Sequence, residues 1–293
     1  MSERVVGIIG ASSLVGDCLL PLCVQSGAGV VAWSRTATVR CDPGIEWRLL
    51  NPAMGMGDRG DTVRPISDWI IVAPIWVIPE HFALLEACGA RRVVALSSTS
   101  RFVKGDSSDV GEQRVAARLA EGEAALQVWA ESRGVAWLVL RPTLIYGKAK
   151  DQNIAAAARF VRRFGFFPLV GAAQGLRQPV HAADVAMACR LALDARTLTN
   201  RAYNISGQDT LPFSDMIAAV FTAMGRKPRF MPLPLLFVRL TVHVLRLLPG
   251  FRHITASMAE RMNRDLVFDH EEATRDFGFR PRPFRLSAQD LPS

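Results

Sequence analysis

Apolar and polar blocks alternate along the chain in element-sized steps. Residues 4–10, Arg4-Val5-Val6-Gly7-Ile8-Ile9-Gly10, form an apolar run of strand type, the pattern of a short strand buried on both faces. A small-residue turn, Ala11-Ser12-Ser13-Leu14-Val15-Gly16, opens a helix at Asp17-Cys18-Leu19-Leu20-Pro21-Leu22. Further strands are predicted at Val30–Trp33, Ile45–Leu49, Asp68–Ala73, Arg92–Ser97 and Val135–Leu140, and helices over Glu80–Gly89 and Gly111–Arg133. Strands alternating with helices predict βαβ units, an α/β chain with a parallel sheet covered on both faces. Beyond residue 150 the alternation loosens. Phe213–Met224 and Pro234–Leu248 read as helices between Pro- and Gly-rich joints, the pattern of a smaller lobe at the C-terminal edges of the strands.

The first turn carries the first chemistry. A strand, a small-residue turn and a helix N-terminus present backbone N–H groups to an anion, which is how a dinucleotide pyrophosphate is held. Gly10 allows the tight turn, and Gly16 lets the helix pack close to the sheet. Ser13 stands where a glycine often lets the phosphates approach, and adds a hydroxyl donor. Composition agrees with a globular protein: 293 residues, 49% hydrophobic and 21% charged. The five cysteines (18, 23, 41, 88 and 189) show no Cys-x-x-Cys spacing, so reduced core thiols in a cytoplasmic protein are expected, and no metal site. The first strand starts at once, leaving no room for a secretory signal. No apolar run reaches the roughly 20 residues that span a bilayer.

The net charge of +8 is unevenly placed: eight Lys/Arg face one acid, Glu260, between Arg226 and Arg264. That segment is a solvated basic face or the site of an anionic partner. Within 235–248, Arg239, His243 and Arg246 form one stripe on an apolar helix. Such a helix lies on an anionic membrane surface, as a peripheral contact, or packs on the lobe with its stripe in water. Nucleic acid is not expected, because the basic residues are not interleaved with aromatics.

The ordered landmarks resemble the extended short-chain dehydrogenase/reductase superfamily, and within it the NAD-dependent epimerase/dehydratase proteins. They are Gly10-Ala-Ser-Ser-Leu-Val-Gly16, Leu96-Ser-Ser-Thr99, Leu140-Arg-Pro-Thr-Leu-Ile-Tyr-Gly147, Gln178-Pro-Val-His-Ala-Ala-Asp-Val-Ala186, Ala202-Tyr-Asn-Ile-Ser-Gly207 and Asp276-Phe-Gly-Phe-Arg-Pro-Arg-Pro-Phe284. The resemblance implies a Rossmann-type doubly wound parallel sheet with a small C-terminal substrate lobe. Residues 1–293 would form one unit: 1–165 mainly the dinucleotide-binding core, 166–293 mainly the lobe, with a return to the core near 178–206. It implies bound NADP or NAD, held by Gly10, Ser12, Ser13, Leu14, Val15 and Gly16, by Ser34 and Arg35 after the second strand, and by Asn51 at the adenine. Ala73, Pro74, Ser97, Pro142 and Leu144 would line the nicotinamide side. A basic residue at the end of the second strand pairs with the 2′-phosphate of NADP, so Arg35 favours NADP; the alternative is a surface arginine.

Family enzymes carry a Tyr-x-x-x-Lys pair on the long helix, where a lowered tyrosine pKa serves proton transfer. Here Val115 and Leu119 stand at those positions, and the only tyrosines are Tyr146 and Tyr203. Thr99, with Ser98 beside it, matches the hydroxyl that steadies the reacting oxygen. One residue out of register, Arg114 and Arg118 share a helical face and could bind an anion or be solvated. Arg177 matches the arginine that contacts a substrate diphosphate, and Arg101 is expected to point to the same crevice. His181 and Asp184 look structural. The expected function is hydride transfer by an NAD(P)-dependent oxidoreductase or epimerase on a sugar-like, nucleotide- or lipid-linked hydroxy or keto compound. The alternative is a non-catalytic NADP-binding redox-responsive or assembly protein. A homodimer through a four-helix interface is usual for such a family.

Overall fold

The computed structural model of the chain describes residues 4–36, 42–50, 65–234 and 260–292. Seven strands form the main sheet: β1 (Val5–Ile9), β2 (Gly29–Ser34), β3 (Ile45–Leu49), β4 (Asp68–Ile71), β5 (Arg92–Leu96), β6 (Ala136–Pro142) and, much later in the chain, β11 (Arg201–Ile205). Their spatial order is β11-β6-β5-β4-β1-β2-β3, and every pairing is parallel. This is the parallel sheet the alternation predicts, in the doubly wound arrangement the resemblance implies. The strand order reverses between β1 and β4, so a crevice opens at their C-terminal ends.

Side chains alternate across the sheet, as a period of two requires. On one face Val6, Ile8, Val30, Ala32 and Ile70 pack with helix α1 (Gly16–Gln25) and helix α6 (Ala182–Asp194). On the other, Ile9, Val31, Trp33, Trp69 and Ile71 pack with helix α4 (Val110–Ser132). Gly7 falls on this second face, between Val5 and Ile9, for a steric reason: a Cβ there would sit 2.6 Å from the Trp69 ring, which is itself 4.8 Å from Trp33.

Predicted and observed strand and helix bounds differ by one or two residues for most elements. The clearest difference is at Glu80–Gly89. There a 3₁₀ turn occupies Ile75–His81 and the α-helix α2 spans only Phe82–Ala87. Pro79 lies inside the 3₁₀ turn, one residue ahead of the expected helix start.

Between β5 and α4 lies the short helix α3 (Ser100–Val103). After β6 come β7 (Ile145–Tyr146), helix α5 (Ile154–Phe164), β8 (Phe167–Val170), β9 (Leu176–Arg177) and β10 (Val180–His181). β12 (Leu211–Pro212), helix α7 (Phe213–Ala223) and β13 (Phe230–Leu233) follow β11. α5 and α7 share a separate apolar cluster, centred on Ala158, Val161, Ile217 and Phe221, which forms the lobe. The predicted helix 235–248, with its basic stripe, lies outside the described residues. Cys18, Cys23, Cys88 and Cys189 are free and buried, and Cys41 lies outside the described residues. Among the described residues no helix is long and apolar enough to cross a membrane.

Candidate functional site

At the switch point, the turn after β1 packs against the turn after β4. Gly10 has φ +85°, and a Cβ there would meet the Ala73 nitrogen at 2.5 Å. Only glycine accepts both the dihedral and the approach. A Cβ at Gly16 would meet the Ala11 carbonyl oxygen at 2.3 Å. The Ser13 N–H donates to Gly10 O at 2.9 Å and the Gly16 N–H to Ser13 Oγ at 3.1 Å. These bonds wrap the turn around the start of α1. Ser13, Leu14 and Val15 face the crevice, with Val72, Ala73 and Pro74 on the β4 side. Ser34 is buried at the end of β2 and its hydroxyl lies 3.4 Å from Ser12 Oγ. Arg35 follows as an exposed side chain. The predicted adenine contact, Asn51, lies outside the described residues. A glycine cradle at the N-terminus of a ten-residue helix fits a dinucleotide pyrophosphate.

The hydroxyl cluster after β5 runs along the end of β6. The Ser97 N–H donates to Leu140 O at 2.8 Å, and the Thr99 N–H to Pro142 O at 3.1 Å. Thr99 is buried, with Oγ1 3.3 Å from the same Pro142 oxygen. Ser98 Oγ accepts the Ser100 N–H at 3.1 Å. Ser98, Thr99, Pro142 and Leu144 all line the crevice. α4 presents Val115 and Leu119 to it. Arg114 and Arg118 are exposed instead, Arg118 lying 4.5 Å over the Trp76 ring. Among the described residues, neither Tyr146 nor Tyr203 lines the cleft. Tyr146 is buried edge-on to His181 and Phe284, and Tyr203 donates to Asp276 at 2.8 Å.

Arg101 corrects the expectation that it points into the crevice. Its guanidinium turns onto Glu123, which is buried in α4. Glu123 also accepts Arg141, at 2.6 Å, and the Ser97 hydroxyl, at 2.5 Å. A buried carboxylate attracts the cations within reach, and Glu123 outcompetes a solvent-facing position for Arg101. Glu123 lies in line with Val115 and Leu119 at four-residue steps, so an acid on the buried stripe of α4 was the signal in the sequence.

The lobe closes the other side. Arg177 lines the cleft, yet its guanidinium is buried and donates to the carbonyls of Leu176, Arg264 and Arg261. Burial lowers its pKa to about 10, against a smaller upward pull from Asp265, so it stays charged at neutral pH. The arginine expected to meet a substrate phosphate thus has much of its donor capacity committed to the 261–264 backbone. Asp265 accepts the Leu176 N–H at 2.8 Å. His181 accepts the Ala183 N–H as the cap of α6, and Asp184 holds Arg282 at 2.8 Å, both structural tasks. The segment after β7 crosses to α1, where Lys150 pairs with Asp17 and Lys148 Nζ donates to the Asp17 carbonyl at 3.1 Å. Together these walls enclose a cleft of about 770 Å³. Among the described residues no cluster of His, Cys, Asp and Glu could hold a metal ion.

A parallel doubly wound sheet with a glycine cradle at its switch point and a lobe across the crevice defines a Rossmann-type α/β fold. Residues 81–206 match the NAD dependent epimerase/dehydratase family. It is 28% identical over 160 residues to an Arabidopsis thaliana protein, NADH dehydrogenase [ubiquinone] 1 alpha subcomplex subunit 9, mitochondrial. That match spans 54% of this chain and 37% of the relative, so the chain spans little more than a third of the relative's length. Among solved structures, UDP-N-acetylglucosamine 4-epimerase from Bacillus cereus is similar with a TM-score of 0.69 and 12% identity, over 96% of this chain and 92% of that one. UDP-glucose 4-epimerase from Thermotoga maritima gives a TM-score of 0.69 and 15% identity, over 98% and 96%. At these identities the likeness is one of fold.

Proposed function

We propose that the chain binds NADP(H) and acts as an oxidoreductase or epimerase on a sugar-like hydroxy or keto compound, nucleotide- or lipid-linked. The observation that carries this reading is the continuity of the cleft. It runs from the dinucleotide turn at Ser13–Val15, past the hydroxyls of Ser98 and Thr99, to Phe213 and Phe268 on the far side. A site built for a dinucleotide alone needs no such extension.

Gly10, Ser13, Leu14, Val15 and Gly16 would hold the pyrophosphate, and Ser34 and Arg35 the adenosine ribose with its 2′-phosphate. Ala73, Pro74, Ser97, Pro142 and Leu144 would line the nicotinamide. When bound, the nicotinamide supplies hydride chemistry at its C4. Thr99 and Ser98 would orient the reacting oxygen by hydrogen bonding. Val115 and Leu119 exclude water but move no proton. The structural relatives act on nucleotide sugars by name, which supports a substrate of that class.

Those same apolar residues favour a second reading, in which the chain binds NADP without turnover as a redox-responsive or assembly protein. The likeness to a subunit of NADH dehydrogenase supports it. Peripheral contact of 235–248 with an anionic membrane and a homodimer are compatible with either reading.

Titration with NADPH and NADH tests the cofactor site. Wild-type protein is expected to prefer NADPH, and Arg35→Ala to lose about tenfold in NADPH affinity while NADH affinity stays unchanged. Equal loss for both nucleotides, or none, would refute the assignment of Arg35. Deuteride exchange from labelled NADPH into a panel of nucleotide- and lipid-linked sugars separates the two readings, because only an enzyme transfers label.

A further inference from the structure

Lys104 closes the α3 turn, its N–H donating to Ser100 O at 3.1 Å, and it lines the same cleft as Ser98, Thr99 and Ser100. The side chain is half-buried, and among the described residues no hydrogen bond or ion pair holds its ammonium.

The acids around it are already committed. Asp109 caps α4, accepting the N–H groups of Gly111 at 2.8 Å and Glu112 at 3.2 Å. Glu112 pairs with Arg261 and accepts the Ser107 hydroxyl at 2.7 Å. Arg261 lines the cleft as well. Burial holds the Lys104 pKa below the ordinary lysine value, Arg261 lowers it further, and Asp109 only partly opposes them.

A partly desolvated cation without a counter-ion is unfavourable, and an anion delivered to it recovers a charge-assisted hydrogen bond. A lysine kept for solubility alone would extend into water instead.

We infer that Lys104, together with Arg261, forms an anion subsite in the cleft that takes a phosphoryl or carboxylate group carried by the bound compound. The inference rests on the proposed reading that the cleft holds a second small molecule beside the dinucleotide. With Arg177 committed to backbone carbonyls and Lys150 paired with Asp17, Lys104 is, among the described residues, the cleft cation with the most donor capacity to offer. Lysine suits the task as a compact point charge with three rotatable donors.

The test uses the full chain with its lysines ¹³C-methylated, so that each ammonium gives an NMR signal, and Lys104 is assigned by its loss in Lys104→Arg. Sodium pyrophosphate and sodium succinate are the probes. The Lys104 signal is expected to shift saturably with pyrophosphate if the group is phosphoryl, or with succinate if it is a carboxylate. Affinity for the effective anion, read by isothermal titration calorimetry so that it does not depend on the Lys104 signal, should fall about tenfold in Lys104→Met and return in Lys104→Arg. Absence of a saturable shift with both probes, or unchanged affinity in a folded Lys104→Met, overturns the subsite. An NADPH titration on the same samples reports separately on the cofactor reading, whose failure would leave the Lys104 measurement intact.

Discussion

A methyl group at position 10 would have to share space with the Ala73 backbone nitrogen 2.5 Å away, on a residue whose φ is +85°. Neither problem can be relieved by rotating a side chain, because both partners are main chain. Gly10→Ala is therefore expected to lower stability by about 1–3 kcal/mol and to weaken NADPH binding at least tenfold. Urea unfolding read beside a nucleotide titration checks both, and unchanged binding in a stable Gly10→Ala protein would remove the cradle from the site. Glu123 shows the opposite kind of residue, defined by its partners rather than by its own backbone. Two arginines and a serine converge on it from β6, α3 and the end of β5. That convergence fixes the loop bearing Ser98 and Thr99 against α4.

At the scale of elements, ionic contacts at the other end of the sheet tie its separate segments together. Asp68, buried at the start of β4, binds Arg4 ahead of β1 at 2.9 Å and Arg196 beyond α6 at 2.7 Å. Arg92, at the start of β5, donates to the carbonyls of Ala192 and Ala195 at 2.8 Å, closing the C-terminus of α6. Burial alone would raise the Asp68 pKa, but hydrogen bonds and charge from Arg196 and Arg4 outweigh it and hold the carboxyl below its ordinary value. A depressed folded-state pKa gives stability that is present above the unfolded value, near 3.9, and is lost as pH falls through the folded value. Asp68→Asn is thus expected to cost about 1–3 kcal/mol at pH 7, tempered by the partial exposure of both arginines. The difference from wild type should shrink as pH falls below about 4. Unfolding curves at pH 7 and at acid pH measure it, and a pH-independent difference would assign the effect to packing instead.

For the whole molecule, the lobe forms one wall of the cleft, and Arg177 ties separate segments of that wall together. Its guanidinium reaches the Arg261 and Arg264 carbonyls, more than 80 positions along the chain, and lies 5.5 Å from the Phe213 ring centre. Arg177→Met keeps the apolar stem but leaves those carbonyls without their donor, at a cost of about 1–3 kcal/mol. The expected signature is faster tryptic cleavage near Arg261 and Arg264, with a lower Tm. Cleavage at the wild-type rate would show that other contacts hold the segment. Lys148 and Lys150 tie the opposite rim to α1 at Asp17. The site is therefore bounded by contacts between segments far apart in the chain.

The first turn was legible from residue order alone, because an apolar run, a small-residue turn and a helix start are local features that backbone sterics and burial dictate together. The same holds for β2, β4, β5, β6 and α4, whose bounds follow from apolar periodicity. It also holds for Val115 and Leu119, which face the cleft as the helix register required. The start of α2 was less legible, since Glu80 and His81, the first residues of the expected helix, end a 3₁₀ turn that begins at Ile75. What residue order could not decide was the direction of long charged side chains. Arg101 and Arg177 look alike as cleft arginines, and only packing shows one bound to a buried carboxylate and the other to three carbonyls. Lys104 stands out for the converse reason, that neighbouring acids are taken by partners from elsewhere in the chain. Local sequence sets backbone preference and the buried face of each element. The partner of a charge depends on which distant segments the fold brings within a few ångströms, and that is decided only when the whole chain packs.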